Sequence, residues 1–280
     1  MPANPADQDA RARVRRRKPP RRAEVVSVSR LTPRMVSVRF GGDALAGFRI
    51  EAPTSHIKVF LPADGEAAPS LPEYTADGPA WSGDAPRPVI RTYTPRRFDE
   101  ASGTLEVQFL LHGHGTAPGA AWAERAGPGD QVAIGGPGGR FSLDPAATDW
   151  WIAGDESALP AVGTLLEALP ATAAAEVHLE VDGPEDEVEL PSPARTSVSW
   201  HHRRAADGWG TELSGAARDA AFAEGTRVWV ACEAAAMRGI RRYLVADRGL
   251  APGSLVTRGY WRLGVANHPD HDYGDDDLDG

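Results

Sequence analysis

The chain has 280 residues, 41% hydrophobic and 25% charged, which fits a soluble globular protein of one or two domains. Thirty basic against 39 acidic side chains leave a net charge of -9, which argues against broad affinity for nucleic acid. No run approaches the ~18 consecutive apolar residues of a membrane helix, and the single cysteine, Cys232, excludes an internal disulfide, a Cys-ligated zinc site and a cysteine-held iron–sulfur cluster. Any redox chemistry must then use an organic cofactor or a non-thiolate metal site. With no apolar run behind the basic N-terminus to suggest a secretory leader, the expected compartment is the cytoplasm.

Residues 1–22 carry a run of arginines among proline and alanine with no apolar period, the pattern of a solvated basic arm. From 23 to 145, short β runs are broken by turn residues. Segments 23–31 and 35–40 alternate apolar and polar side chains, 56–61 and 88–94 continue the habit, and 104–111 is an eight-residue strand. A strand at 131–134 follows the turn Pro128-Gly129-Asp130. Several short strands at this spacing favour a small closed barrel, which covers its own edges.

After residue 148 the rhythm changes. An apolar strand at 150–153 leads into Gly154-Asp155-Glu156-Ser157, and 158–169 has helical spacing through Leu159, Val162, Leu165, Leu166 and Leu169. Strands are predicted at 175–181, 196–200 and 226–231, and an amphipathic helix at 233–247. Strands alternating with helices give a parallel sheet with crossover helices. The predicted organisation is therefore a two-domain α+β chain, with an antiparallel β-barrel at 23–145, an α/β parallel-sheet domain at 146–265 and an acidic tail at 266–280.

A barrel that holds a flavin beside an open sheet that binds a nicotinamide nucleotide is a sound plan for a flavin reductase. The segment that decides it is Arg91-Thr92-Tyr93-Thr94 at the end of a strand. A flavin needs an aromatic ring against its isoalloxazine, a hydroxyl near N5 and a cation for its pyrophosphate; Tyr93, Thr94 and Arg91 supply these in turn. Thr and Tyr are also ordinary strand formers, so these four residues alone leave both readings open.

Further along, the chain resembles the siderophore-interacting proteins, or ferric-siderophore reductases, of the ferredoxin-reductase-like superfamily. The likeness is carried by Arg91-Thr92-Tyr93-Thr94, by Phe109-Leu110-Leu111-His112-Gly113 with Gly115 to Trp122-Ala123, and by Pro128-Gly129-Asp130. It continues through Gly136-Pro137-Gly138, Gly154-Asp155-Glu156-Ser157-Ala158-Leu159-Pro160-Ala161 and Glu233-Ala234 to Gly259-Tyr260-Trp261-Arg262, in order over residues 23–265.

The resemblance implies FAD in the barrel, NADH or NADPH as co-substrate, and a ferric siderophore of hydroxamate or catecholate type as acceptor. Hydride would pass from the nicotinamide to the flavin, which would deliver single electrons to Fe(III). Tyr93 and Thr94 would meet the isoalloxazine, Arg91 and Thr92 would lie beside the cofactor, and Gln108, Phe109, Leu111 and His112 would run along it. Gly115, Thr116, Ala117 and Ala120 would bring backbone N–H groups and a helix N-terminus to the phosphates. The spelling Gly113-His114-Gly115-Thr116-Ala117-Pro118-Gly119 is one residue too long for a dinucleotide fingerprint and falls in the barrel half.

In the second domain Gly154, Asp155, Glu156, Ser157 and Ala158 leave a strand and enter a helix, where such sheets take a nucleotide diphosphate. Asp155, Glu156 and Glu233 equally suit helix capping. Trp261 would cover the flavin or nicotinamide site, or equally bury the domain seam. Glu180 and Asp182 would favour NADH through a ribose hydroxyl, whereas Arg203 and Arg204 would favour NADPH through a 2′-phosphate. Lys58, Arg140 and Arg262 are candidates for the anionic siderophore, each with a surface ion pair as the alternative.

No metal site is expected, since His201 and His202 are adjacent and point apart on a strand. A monomer without stable membrane association or nucleic-acid partner is expected. Three other functions are open to the same sequence: a general flavin or ferredoxin-type reductase with another acceptor, a siderophore-binding protein without turnover, and nucleic-acid binding through the basic residues 1–22.

Overall fold

A computed structural model describes residues 19–75, 78–81, 83–111, 117–139, 141–204 and 208–269. The chain divides into two compact units, the first built on residues up to 139 and the second on those from 140 onward together with Arg30–Met35 and Ala52–Thr54.

The first unit contains β1 (Arg21–Thr32), β2 (Met35–Gly41), β3 (His56–Leu61), the short ribbon β4 (Glu73–Thr75) and β5 (Gly78–Ala80), and β6 (Val89–Tyr93). There follow β7 (Pro95–Asp99), β8 (Thr104–Leu110), helix α1 (Pro118–Arg125) and β9 (Gln131–Gly138). Except for the ribbon, the strands make one seven-stranded sheet in the order β6-β3-β9-β1-β2-β8-β7. Its two end strands, β6 and β7, are joined by a single residue, Thr94. A sheet whose first and last strands are one residue apart in the chain must curl until those ends meet.

Period-two alternation fills the interior. Val38, Phe40, Ile57, Val59, Val107 and Phe109 are fully buried in one cluster with Trp122 of α1. The turn before β9 closes because Gly129 takes φ 93, a conformation glycine adopts without strain, while Gly127 N–H donates to the Asp130 carboxylate at 2.9 Å. β7 lay outside the expected strands because it begins with proline and carries Arg96 and Arg97; proline is tolerated at a strand's first residue.

The second unit contains β10 (Asp149–Asp155), a 3₁₀ turn (Glu156–Ala158), α2 (Leu159–Ala168), β11 (Ala174–Val181) and β12 (Arg195–His202). After these come α3 (Thr211–Asp219), β13 (Arg227–Glu233), α4 (Ala234–Arg242) and β14 (Leu255–Trp261). The five strands are parallel in the order β12-β11-β10-β13-β14. The helix predicted over 233–247 is α4 running into a π-helical turn, Tyr243–Asp247, with Glu233 as its cap.

Crossovers leave β10 towards β11 and β13 towards β14 in opposite directions, so right-handed connections set α2 on one face and α4 on the other. Leu213 and Ala217 of α3 and Met237 and Ile240 of α4 pack with Trp151, Val230 and Cys232 of the sheet. Parallel pairing brings the carboxyl ends of all five strands to one edge, where Asp155, Glu180, His202, Glu233 and Trp261 gather.

Candidate functional site

In the first unit β6 lies beside β3, with Val59 opposite Arg91, Lys58 opposite Thr92 and Ile57 opposite Tyr93. Because Ile57 and Val59 are wholly buried, Arg91 and Tyr93 share the barrel's inner face, whereas Lys58 and Thr92 share the outer one. Lys58 Nζ donates to Thr92 Oγ1 at 2.6 Å. Arg91 donates to the Ile90 carbonyl at 2.8 Å. The Tyr93 ring lies 4.4 Å from that of Phe109, which in turn packs 5.6 Å from Trp122. Burial pushes the Tyr93 hydroxyl above its ordinary pKa, and the Arg91 charge offsets only part of that.

The first turn of α1 sits against this ring so closely that a Cβ on Gly119 would fall 2.0 Å from Tyr93 Oη. Among the described residues no side chain caps this helix, its first turn holds no acid, and Pro118 stands at its start. An uncapped N-terminus beside an aromatic ring and a guanidinium fits the phosphates and ring of FAD, the donor set that cofactor requires. Thr94, at the junction of β6 and β7, is buried. Phe109 is fully buried in the barrel core and Leu111 is buried too, whereas Gln108 is half-buried with its amide donating to Glu106 at 3.3 Å. Ala117 and Ala120 flank the helix start. His112, Gly115, Thr116 and Arg140 lie outside the described residues.

In the second unit the strand ends form a connected network. The Asp155 carboxylate accepts from Ser157 N at 3.0 Å, from the Ser157 hydroxyl, from Glu233 N at 2.9 Å and from the Trp261 indole Nε1 at 2.8 Å. Burial pushes its pKa up and these donors pull it back only in part. Glu233 caps α4 through Ala235 N and Ala236 N, and its other oxygen accepts from Leu263 N at 3.2 Å. The two carboxylates thereby fix the end of β14.

Glu156 is buried in contact with Arg203, which also reaches Glu180 at 3.3 Å. Burial holds the Glu156 carboxyl up at about 7, with Arg203 opposing and Asp155 adding to the rise. Glu180 is wholly buried and accepts from Gly210 N at 2.9 Å and Glu212 N at 3.3 Å, at the start of α3. The Arg203 guanidinium lies 3.6 Å over the Trp209 ring, and Trp209 meets Trp261 edge to face at 4.7 Å.

Two of the four side chains weighed for telling NADH from NADPH, Glu180 and Arg203, are thus partners of each other. Asp182 pairs with Arg34, and Arg204 is exposed. Gly154 packs against Ala158 and the Ala231 carbonyl, and Ala158 is itself fully buried, so this turn offers backbone rather than side chains. Arg262 is exposed and bridges to Val265. His178 Nδ1 pairs with His201 Nε2 at 3.0 Å and Nε2 with Glu176 at 2.8 Å; among the described residues no group of three suits a metal ion. Trp209 was not a sequence candidate. The one local signal for it is Gly210 beside it, at φ 74 and too close to Ala236 to carry a Cβ.

An antiparallel sheet with a flavin-suited strand and helix start, followed in the chain by a parallel sheet with a polar carboxyl edge, is the ferredoxin-reductase-like two-domain fold. The model of the siderophore-interacting FAD-binding domain matches residues 24–141, and that of the siderophore-interacting protein matches 147–264. The chain belongs to the siderophore-interacting protein family.

An uncharacterised protein of Mycobacterium tuberculosis is 38% identical over 261 residues, 86% of this chain and 89% of the relative. Ferric vibriobactin reductase ViuB of Vibrio cholerae is 38% identical over 183 residues, 65% of this chain and 66% of the relative. NADPH-dependent ferric-chelate reductase of Escherichia coli is 35% identical over 53% of this chain and 57% of the relative. Among solved structures, a siderophore utilization protein from T. fusca superposes with TM-score 0.79 at 36% identity, covering 91% of this chain and 99% of its own. No helix among the described residues is long and apolar enough to cross a membrane.

Proposed function

We propose that the chain is an NAD(P)H-dependent reductase of ferric siderophores that releases Fe(II) for assimilation in the cytoplasm. In this reading residues 23–145 bind FAD and 146–265 bind the nucleotide. The observation that carries it is the contact of Tyr93 and Arg91 with the uncapped start of α1, in a family with relatives named ferric vibriobactin reductase and NADPH-dependent ferric-chelate reductase.

FAD, when bound, turns a two-electron donor into single electrons for iron. The chain supplies position and charge. Tyr93 and Thr94 would orient the ring, Arg91 and the N–H groups of α1 would meet the pyrophosphate, and the seven-stranded sheet would hold them in place. Lys58, held by Thr92, and the exposed Arg262 supply cations for an oxygen-rich anionic ligand. Hard oxygen donors hold Fe(III) far better than Fe(II), so reduction loosens the iron.

The test is an absorption spectrum of the purified protein, first alone, then with anaerobic NADH or NADPH, then with a ferric hydroxamate or catecholate and a ferrous chelator. The expected sequence is a flavin band, its bleaching, its return and trapped Fe(II), with flavin content reduced in Tyr93→Ala. A chain that takes up no FAD supplied in excess, or a bleached band that ferric siderophore leaves unchanged, overturns the reading.

A further inference from the structure

A pair of histidines on neighbouring strands of the second unit forms an array that the proposed reductase chemistry leaves unused. His178 of β11 meets His201 of β12 through Nδ1 and Nε2 at 3.0 Å, and its own Nε2 lies 2.8 Å from Glu176. The ring planes differ by 23°, and the ring centres are 5.3 Å apart, longer than the N···N contact by about one centre-to-nitrogen length on each side. Both nitrogens therefore lie near the line of centres, and the contact is a head-on N–H···N hydrogen bond. A metal ion on that line would need the nitrogens about 4 Å apart, two metal–nitrogen lengths of about 2 Å.

Proton positions follow from what each group can donate. An ionised Glu176 only accepts, so the hydrogen of a neutral His178 is on Nε2, its Nδ1 is bare, and His201 donates from Nε2. His201 Nδ1 is then the nitrogen open to a proton. One added proton can sit there or pass along the chain to His178 beside Glu176, and both hydrogen bonds survive in either position. A second puts N–H groups on both facing nitrogens, and the link between the strands is lost.

The surroundings resist that second proton. Burial and then the His178 charge hold the His201 pKa below the ordinary 6.5; Glu212 of α3 and Glu180 of β11 oppose this, and His202, itself bonded to Glu187, adds to it. From β10 the neighbour is the uncharged Trp151, 5.4 Å from His178, which packs on Phe222 beneath Arg248.

We propose that Glu176, His178 and His201 are a proton-operated fastener between β11 and β12, closed with none or one added proton and opened by the second. What it governs is the sheet edge beyond it. His201 is in register with Glu180, whose carboxylate holds Arg203 at 3.3 Å and the N–H groups of Gly210 and Glu212 that begin α3. Opening the end of β12 in acid thus releases Arg203 and the start of α3. The folded chain holds the His201 proton less tightly than the unfolded chain, so this corner is secure above pH 6.5 and loosens as pH falls below it.

The test follows the full chain from about pH 8 to about pH 5 by nitrogen–proton correlation spectra of the imidazoles and by amide hydrogen exchange. In wild type His178 and His201 titrate in two coupled steps, and exchange at Gly210 and Glu212 rises about tenfold across the second, while exchange at Val230 in the middle of the same sheet does not. His201→Gln still offers a side-chain N–H to His178 Nδ1 and takes no proton, so it keeps wild-type exchange at neutral pH and loses the rise in acid. His178→Gln removes the neighbouring charge and moves the His201 titration up towards the ordinary value.

Independent single-step titrations, a rise in acid that persists in His201→Gln, or one shared equally by Val230 overturns the proposal. So does a His201 titration unmoved in His178→Gln. Should that variant not fold, wild type and His201→Gln decide alone.

Discussion

Gly119→Ala tests the flavin site through a single methyl group. An alanine Cβ there would lie 2.0 Å from Tyr93 Oη, 3.3 Å from Cζ and 3.8 Å from a methylene of Arg91. Unbonded heavy atoms settle near 3.5 Å, so the phenol must withdraw by about 1.5 Å or α1 must shift. The substitution is otherwise favourable, since alanine in a helix is better than glycine by about 0.5–1 kcal/mol. Fold stability should therefore hold while the ring leaves its seat. An aromatic stack is worth about 0.5–1.5 kcal/mol, so FAD affinity should fall about three- to tenfold. Titration of apoprotein followed by quenching of flavin fluorescence reads this directly. Tyr93→Phe removes the hydroxyl and leaves Cζ at 3.3 Å as the nearest atom. The double variant should therefore bind FAD within about twofold of Tyr93→Phe alone. Wild-type affinity in Gly119→Ala would refute the placement of Tyr93 at the cofactor.

Two further outcomes concern the second unit. The folded chain holds the Glu156 proton more tightly than the unfolded chain, with a pKa of about 7 against 4.5. Its contribution is therefore fully present below about pH 4.5 and falls by about 3 kcal/mol as pH rises through 7. Denaturant melts across that range should show a loss in wild type that Glu156→Gln lacks; parallel curves would remove the argument. Arg34 bridges Asp182, Glu185 at 3.3 Å and the buried Asp186 at 2.5 Å, yet its side chain is 36% exposed. Solvent screening limits the cost of Arg34→Ala to about 1–2 kcal/mol, read as a lower melting temperature, and Asp186→Asn in the same chain should recover most of it.

The barrel and the parallel sheet were legible because their strands bury one or both faces, and burial writes itself into the order of side chains. β3 reads His-Ile-Lys-Val-Phe-Leu, with Ile57, Val59 and Leu61 inward. The β4–β5 ribbon buries almost nothing, so its residues carry no such record. Helix α3 was missed for a related reason. Thr211–Asp219 contains a glycine and only Leu213 and Ala217 are buried, too short a stripe to establish a helical period. β14 escaped because its inward residues include Thr257 and Gly259, which a hydrophobic pattern does not count.

The site was legible in composition but not in role. Arg91 and Tyr93 could be picked out because the chemistry of a flavin asks for those groups, and strand alternation then puts both on one face. At the sheet edge the same logic gave acids and arginines but could not pair them. Glu180 and Arg203 are 23 residues apart, and only the adjacency of β11 and β12 brings them together. Once paired they cancel as discriminators of a 2′-phosphate, and their joint effect is to hold Trp209. Asp155 shows the same inversion. A carboxylate that looks like a ligand for a nucleotide is buried and satisfied by the protein's own donors, one of them the indole of Trp261. A sequence can offer a charge to a substrate, but whether the fold has already used that charge is decided by contacts across strands, and at this edge most are in use.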